Sequence, residues 1–172
     1  MAQVLLTMLE EDGSPFFADP RQVLSKVLEK FSELKLTPVV AVELEFYLLD
    51  KRRNKQKKPQ PPISPVTGKR EADTQVYSVD NLDDYKEFLD EIARCAKVQG
   101  LPADTAVAEY APGQFEINLQ HVDDPILACD HAILLKRLIK GVARNMGLNA
   151  SFMAKPFSDQ AGSGTHIHRS EE

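Results

Sequence analysis

The sequence predicts an α+β fold, a curved and largely antiparallel sheet packed by helices. Three observations carry this. Segments 39–50 and 113–119 alternate with period two and are rich in Val, Leu, Ile and aromatic residues, the pattern of strands. Segments 20–35, 82–98 and 123–147 repeat their apolar residues at helical spacing. The two patterns are mixed along the chain, and the tight turn Tyr110-Ala111-Pro112 joins strands 103–109 and 113–119 as a hairpin, which makes that pair antiparallel.

In chain order, residues 2–10 read as a first strand, closed by the turn Asp12-Gly13-Ser14-Pro15. Asp19 followed by Pro20 is a helix start, an N-cap with proline at the first helical position. Val23, Leu24, Val27, Leu28, Phe31 and Leu34 then give 20–35 an apolar stripe. Pro38 precedes the strand VVAVELEFYLLD. Asn81 is the expected cap of the helix over 82–98, which Gly100 and Pro102 end. Asp123 or Asp124 caps the long helix, with Ile126, Leu127, Leu134, Leu135, Leu138, Val142 and Met146 on its apolar side and Gly147 as its stop. NASFMAKPF (149–157) reads as another strand, followed by a Gly-rich loop and a short last strand, THIHRS (165–170).

A length of 172 residues suits one ordinary domain. The net charge of -5 argues against a general nucleic-acid binder. Apolar runs fall short of the roughly 18 residues of a membrane span. The N-terminus lacks the basic region of a secretory signal, so a cytoplasmic protein is expected, with no nucleic acid or membrane as partner. The charge is uneven. Residues 51–70 hold eight of the 21 basic residues and no acidic one, which leaves 13 basic against 26 acidic elsewhere. Such an acidic remainder suits cations better than anions. With its four prolines, the basic stretch (51–75 in all) reads as an exposed, mobile loop, or else as a phosphate- or partner-binding tail. Cys95 and Cys129 fall on helices and read as buried, inert thiols. His121 and His131 default to surface or capping roles, and Asp159 to a loop cap.

The chemistry lies on the polar faces of the strands. Side chains alternate, so Val40, Val42, Leu44, Phe46 and Leu48 point one way while Glu43 and Glu45 point the other, about 7 Å apart. Buried carboxylates need a partner or they neutralise, and one divalent cation would serve both. A sheet face open to water, with both glutamates solvated, explains the same spacing. In GQFEINLQ the polar set Gln114, Glu116, Asn118 and Gln120 repeats the pattern, and Glu109 ends the preceding strand. His166 and His168 share a face of the last strand. Oxygen donors with one imidazole favour Mg²⁺ or Mn²⁺ over zinc.

Three motifs, V-E-L-E-F (42–46), A-P-G-Q-F-E-I-N (111–118) and K-P-F…G-S-G-T-H-I-H (155–168), resemble the ordered signatures of the glutamine synthetase family. The likeness is greatest to its γ-glutamylpolyamine (γ-glutamylputrescine) synthetase branch, and FADPRQVL fits too. The resemblance runs from about residue 5 to 170. It implies a ligase that uses ATP to convert glutamate to γ-glutamyl phosphate, which ammonia or an amine then attacks, with two or three Mg²⁺ or Mn²⁺ ions in the site. By motif match, Glu45, Glu109 and Glu116 would hold one metal, and Glu43 and His166 a second. Gly162 would contact substrate glutamate through its backbone, and His168 and Ser170 would lie near the nucleotide.

Family enzymes are homo-oligomeric rings, typically dodecamers, and the parent protein is expected to be one. Against the family pattern, Ala161 stands where an Asn is usual. The N-terminal β-grasp domain and the C-terminal half of the catalytic domain are absent, so residues 1–172 read as a single partial catalytic domain, expected to be inactive by itself. An alternative is a non-catalytic structural or interaction module that keeps the fold. A weaker one is a different metal-dependent phosphotransferase, such as a guanidino kinase.

Overall fold

The computed structural model describes residues 3–74 and 76–171. Four helices and five strands follow in the order α1 (Pro20–Glu33), β1 (Pro38–Asp50), α2 (Val79–Asp84), α3 (Lys86–Gln99), β2 (Ala103–Ala108), β3 (Gln114–Leu119), α4 (Pro125–Asn145), β4 (Leu148–Ser151) and β5 (Thr165–Glu171). The strands form one sheet in the order β2-β3-β1-β4, with β5 also paired to β1. Every pairing is antiparallel, as predicted. The long β1 is the organising strand. One edge takes β3 over Glu43–Tyr47; the other takes β5 over Pro38–Leu44 and β4 over Tyr47–Asp50. β4 and β5 therefore lie end to end along β1, and the chain between them passes over the sheet at the level of Glu45.

The core lies on one face of this sheet. Val42, Leu44, Phe46 and Leu48 of β1 pack with Phe88, Ile92 and Ala96 of α3 and Leu135, Leu138, Ile139 and Val142 of α4. The predicted alternation of β1 holds, although Val40 is only half-buried. Asp19 caps α1 through Arg21 N, and Asp124, not Asp123, caps α4 through Leu127 N. Gly100 ends α3 in the left-handed conformation, as its position after the last helical turn predicts.

Several expectations are corrected. Residues 3–10 form no strand; the segment makes only an isolated bridge, Leu9 to Pro15. Its Met8 N–H donates to the capping carboxylate of Asp19 instead, and the Met8 carbonyl accepts from Gln22. An apolar pattern without a partner strand does not make a sheet. The expected helix over 82–98 is two helices. Ser78, not Asn81, caps α2, and the buried ring of Tyr85, edge-on to Phe115 with centroids 5.4 Å apart, sits at the break. The strand expected over 149–157 stops at Ser151, where the chain leaves β1, and the Glu45 N–H next along that edge goes to the Gly164 carbonyl instead. Leu127 and Met146 are exposed, whereas Ile139 and Ala143 fill the core side of α4. Cys95 is half-buried and bonded to Glu91, and Cys129 is exposed rather than buried. Partial desolvation, with the carboxylates of Glu91 beside Cys95 and Asp130 beside Cys129, pushes both thiols up, which keeps them poorly nucleophilic.

Among its described residues the basic stretch has no helix or long strand, but it is anchored to the sheet; Gln75, the last residue of 51–75, lies outside the described residues. Pro62 and Ser64 are fully buried, Ser64 Oγ donates to Asp84 at 2.6 Å, and Arg70 pairs with Asp50 at 2.7 Å. Gly113 shows how close this approach is. It has φ of +72°, and a Cβ there would lie 2.8 Å from the Leu48 carbonyl and 3.0 Å from Pro62 Cδ.

Candidate metal centre

The register of β1 builds the site. Glu43 lies opposite Asn118 and Glu45 opposite Glu116 across β3, while Glu43 lies opposite His166 across β5. Directly opposed residues share a face, so Glu43, Glu45, Glu116 and His166 converge on the side of the sheet away from the core. Glu43, Glu116 and His166 each offer a ligand atom within 4.8 Å of the others. His166 Nδ1 is 3.2 Å from Glu43 and 3.8 Å from Glu116, and its Nε2 is 3.6 Å from Glu45. His168 Nε2 is 3.0 Å from the other oxygen of Glu43. Glu109 follows β2, where its N–H donates to the Gln114 carbonyl, and its carboxylate feels Glu45, His166 and Glu43.

Ser170 is four residues beyond His166 on the same face, about 13 Å away along the strand. Gly162 lies in the loop before β5, where its carbonyl accepts from Gln114 at 2.9 Å.

The electrostatics are those of an acidic cluster. Burial raises the Glu116 carboxyl above its ordinary value of 4.5, and Glu43, Glu109 and Glu45 push it further. Burial also raises Glu109, with Glu45 adding to it. Glu43 is held low because it accepts from His168 and His166. Among the described residues, no lysine or arginine forms an ion pair with these four glutamates. Carboxylates that are partly buried and lack a cationic side chain are the donor set a hard divalent ion takes, and the residues fit such an ion.

Three neighbours on the same face carry no role in the sequence reading. Gln114, 2% exposed, donates through Nε2 to both Glu45 (3.0 Å) and the Gly162 carbonyl, while its Oε1 accepts from Ala111 N. It ties a glutamate of the cluster to the Gly-rich loop and to the hairpin turn. Tyr47 donates to the Ala161 carbonyl at 2.7 Å, and burial pushes its hydroxyl up to about 12. That bond goes to the backbone of residue 161, so the alanine there leaves it intact. The Asn118 Oδ1 is buried without a hydrogen-bond partner among the described residues. Period-two alternation places all three beside the glutamates, which is the signal that could have found them.

Gly164 completes the cluster. Its carbonyl accepts from Glu45 N, and a Cβ there would lie 2.7 Å from His166 Nε2 and 2.9 Å from Glu45 Oε1. Gly164→Ala is therefore expected to push these side chains apart. Mn²⁺ titration should show at least about tenfold weaker binding, the range of changes that disturb ligand orientation, with little loss of folded structure by circular dichroism.

Known proteins share this sequence and fold. The glutamine synthetase catalytic domain profile matches residues 17–170. The chain is 51% identical over 168 residues to the gamma-glutamylputrescine synthetase PuuA of Escherichia coli (strain K12), covering 98% of this chain and 36% of that protein. It is 34% identical over 170 residues to the glutamate–isopropylamine ligase of a Pseudomonas species, again 98% and 36%. Among solved structures, a glutamine synthase homologue superposes with a TM-score of 0.80 at 25% identity, covering 96% of this chain and 35% of its own. A complex of GmaS with ADP gives 0.77 at 29% identity, covering 93% and 35%. The chain thus spans about a third of the length of the relatives it matches. With the sheet, the ordered motifs and the matched profile in agreement, this chain is a member of the glutamine synthetase family and carries part of its catalytic domain.

Proposed function

We propose that this chain is the metal-holding part of an ATP-dependent ligase that joins the γ-carboxyl of glutamate to an amine. The observation that carries the reading is the convergence of Glu43, Glu116 and His166 from three strands. Glu45 and Glu109 complete the donor set, and Mg²⁺ or Mn²⁺ are the ions it suits. When bound, such ions neutralise and align the phosphoryl group that passes from ATP to glutamate.

The chain's own residues do the rest. Gln114 holds Glu45 against the Gly-rich loop. The Gly162 carbonyl keeps a second lone pair for the ammonium of glutamate. His168 and Ser170 extend along β5 toward the nucleotide. The names of the two ligases cited above point to an alkylamine, with a diamine of the putrescine type first, ahead of ammonia. A homo-oligomeric ring for the parent protein belongs to the same proposal. No helix among the described residues is long and apolar enough to cross a membrane.

Mn²⁺ calorimetry tests the reading. The chain is expected to bind Mn²⁺, and Glu43→Ala to weaken that binding at least tenfold; an unchanged isotherm in this variant would remove the proposal's basis. The pH dependence follows from the raised carboxyls. Ligands must be deprotonated, so binding releases protons from Glu116 and Glu109 wherever they remain protonated. Affinity should fall as pH is lowered through their raised values toward 4.5, and the apparent enthalpy should vary with the buffer's ionisation enthalpy.

A further inference from the structure

Near the metal cluster lies a cavity of about 240 Å³. Its walls come from three places in the sequence: the basic stretch, the hairpin turn at Pro112 and the loop before β5. Pro59, Pro61, Pro112 and Phe157 give it an apolar side, Glu71 and Asp159 supply two carboxylates beside the amides of Asn54, Gln60 and Gln160, and among the described residues no cationic side chain lines it. Its position relative to the cluster is fixed by contacts. Phe157 packs edge-on to Tyr47 with ring centroids 5.2 Å apart. Tyr47 is two residues along β1 from Glu45, about 7 Å on the same face, so Tyr47 and Phe157 stand between the cluster and the cavity.

We infer that this cavity receives the distal ammonium of an alkyl diamine, with Glu71 and Asp159 as its counter-charges and the proline and phenylalanine surfaces as the seat of its methylenes. The inference rests on the proposed amine-ligase function and deepens it by naming the residues that would distinguish a diamine from a monoamine.

Three observations support it. A chain so rich in lysine at 51–58 keeps every lysine and arginine off the walls of this cavity. Arg70, next to Glu71, is engaged by Asp50, and Lys155 is engaged by the Gln160 carbonyl, so neither nearby cation is given to these carboxylates. Burial and the neighbouring Asp84 push the Glu71 carboxyl up, with only the Gly113 N–H opposing, and an ammonium in the cavity would relieve that cost. An apolar wall with a carboxylate at its end is complementary to an alkylammonium: the methylenes leave water and the charge is paired. A monoamine of the same length can place its single nitrogen at this end or at the metal cluster but not at both, so with its amine at the cluster the carboxylates here stay unpaired.

The test is a titration of the chain with 1,4-diaminobutane and, separately, with butylamine, followed by NMR or calorimetry. The diamine is expected to bind at least tenfold tighter. Glu71→Gln and Asp159→Asn should each erase most of that preference, while Mn²⁺ affinity stays unchanged. Asp159 is exposed, so its substitution leaves folding alone and carries the test by itself if Glu71→Gln loosens the loop. Equal binding of the two amines, or a diamine preference intact in both variants, would overturn the inference. Mn²⁺ binding is read in the same samples. A chain that binds no Mn²⁺ yet keeps a Glu71-dependent diamine preference would remove the ligase reading and leave this cavity's assignment standing.

Discussion

Glu116→Gln is expected to weaken Mn²⁺ binding by about 100-fold, the upper range for disturbing a metal site, and at the same time to stabilise the metal-free protein at neutral pH. Both effects have one cause. Glu116 is 8% exposed and faces Glu43, Glu45 and Glu109, so its charge is costly without a cation. The sign follows from its raised carboxyl. In the native state Glu116 holds its proton to a higher pH than in the unfolded chain, where its value is near 4.5. Native protein binds more protons in that interval, so its stability falls as pH rises from about 4.5 through the raised value. Above that window the wild type carries the full cost and the glutamine variant does not. Below about 4.5 the advantage of the variant should vanish. Urea denaturation of both proteins from pH 4 to 8, without metal, measures this. A variant less stable than wild type across the whole range would show that Glu116 serves the fold rather than a site.

Phe46→Ala should have the largest effect on stability, about 3–5 kcal/mol. Phe46 is 0% exposed at the centre of β1 and lies within 5.4–6.3 Å, centroid to centroid, of Phe88, Phe115 and Phe152. These come from α3, β3 and the chain after β4. Removing the ring opens a cavity that no single element can close, because its walls belong to different parts of the fold. For a protein of this size the loss corresponds to a fall in Tm of about 10 °C. Thermal unfolding followed by circular dichroism is the measurement, and a shift of only 1–2 °C would mean that the core collapses around the gap. The two variants probe opposite faces of the same strand: one face is stabilised by what it excludes, and the other is strained by what it gathers.

The amino-acid sequence alone determined what depends on near neighbours. Alternation along 39–50 was enough to put Glu43 and Glu45 on one face and the apolar set on the other, because period two belongs to any strand. Asp19, Asp124 and Gly100 marked helix ends through bonds that reach only a few residues. The ordered motifs likewise carried the family.

Tertiary structure decided what depends on partners far along the chain. Residues 3–10 and 152–157 have strand-like composition but make no ladder: Met8 N–H goes to the Asp19 cap and Phe152 packs on Phe46, contacts that local pattern does not announce. The basic stretch folds onto the sheet because Pro62, Ser64 and Arg70 find Gly113, Asp84 and Asp50, and no local pattern announces such pairings. The meeting of His166 with Glu43 rests on the register of β5 against β1. Shifted by one residue, the histidine would point to the opposite face, away from Glu43, and this long-range pairing is a property of the folded sheet that neighbouring residues do not reveal.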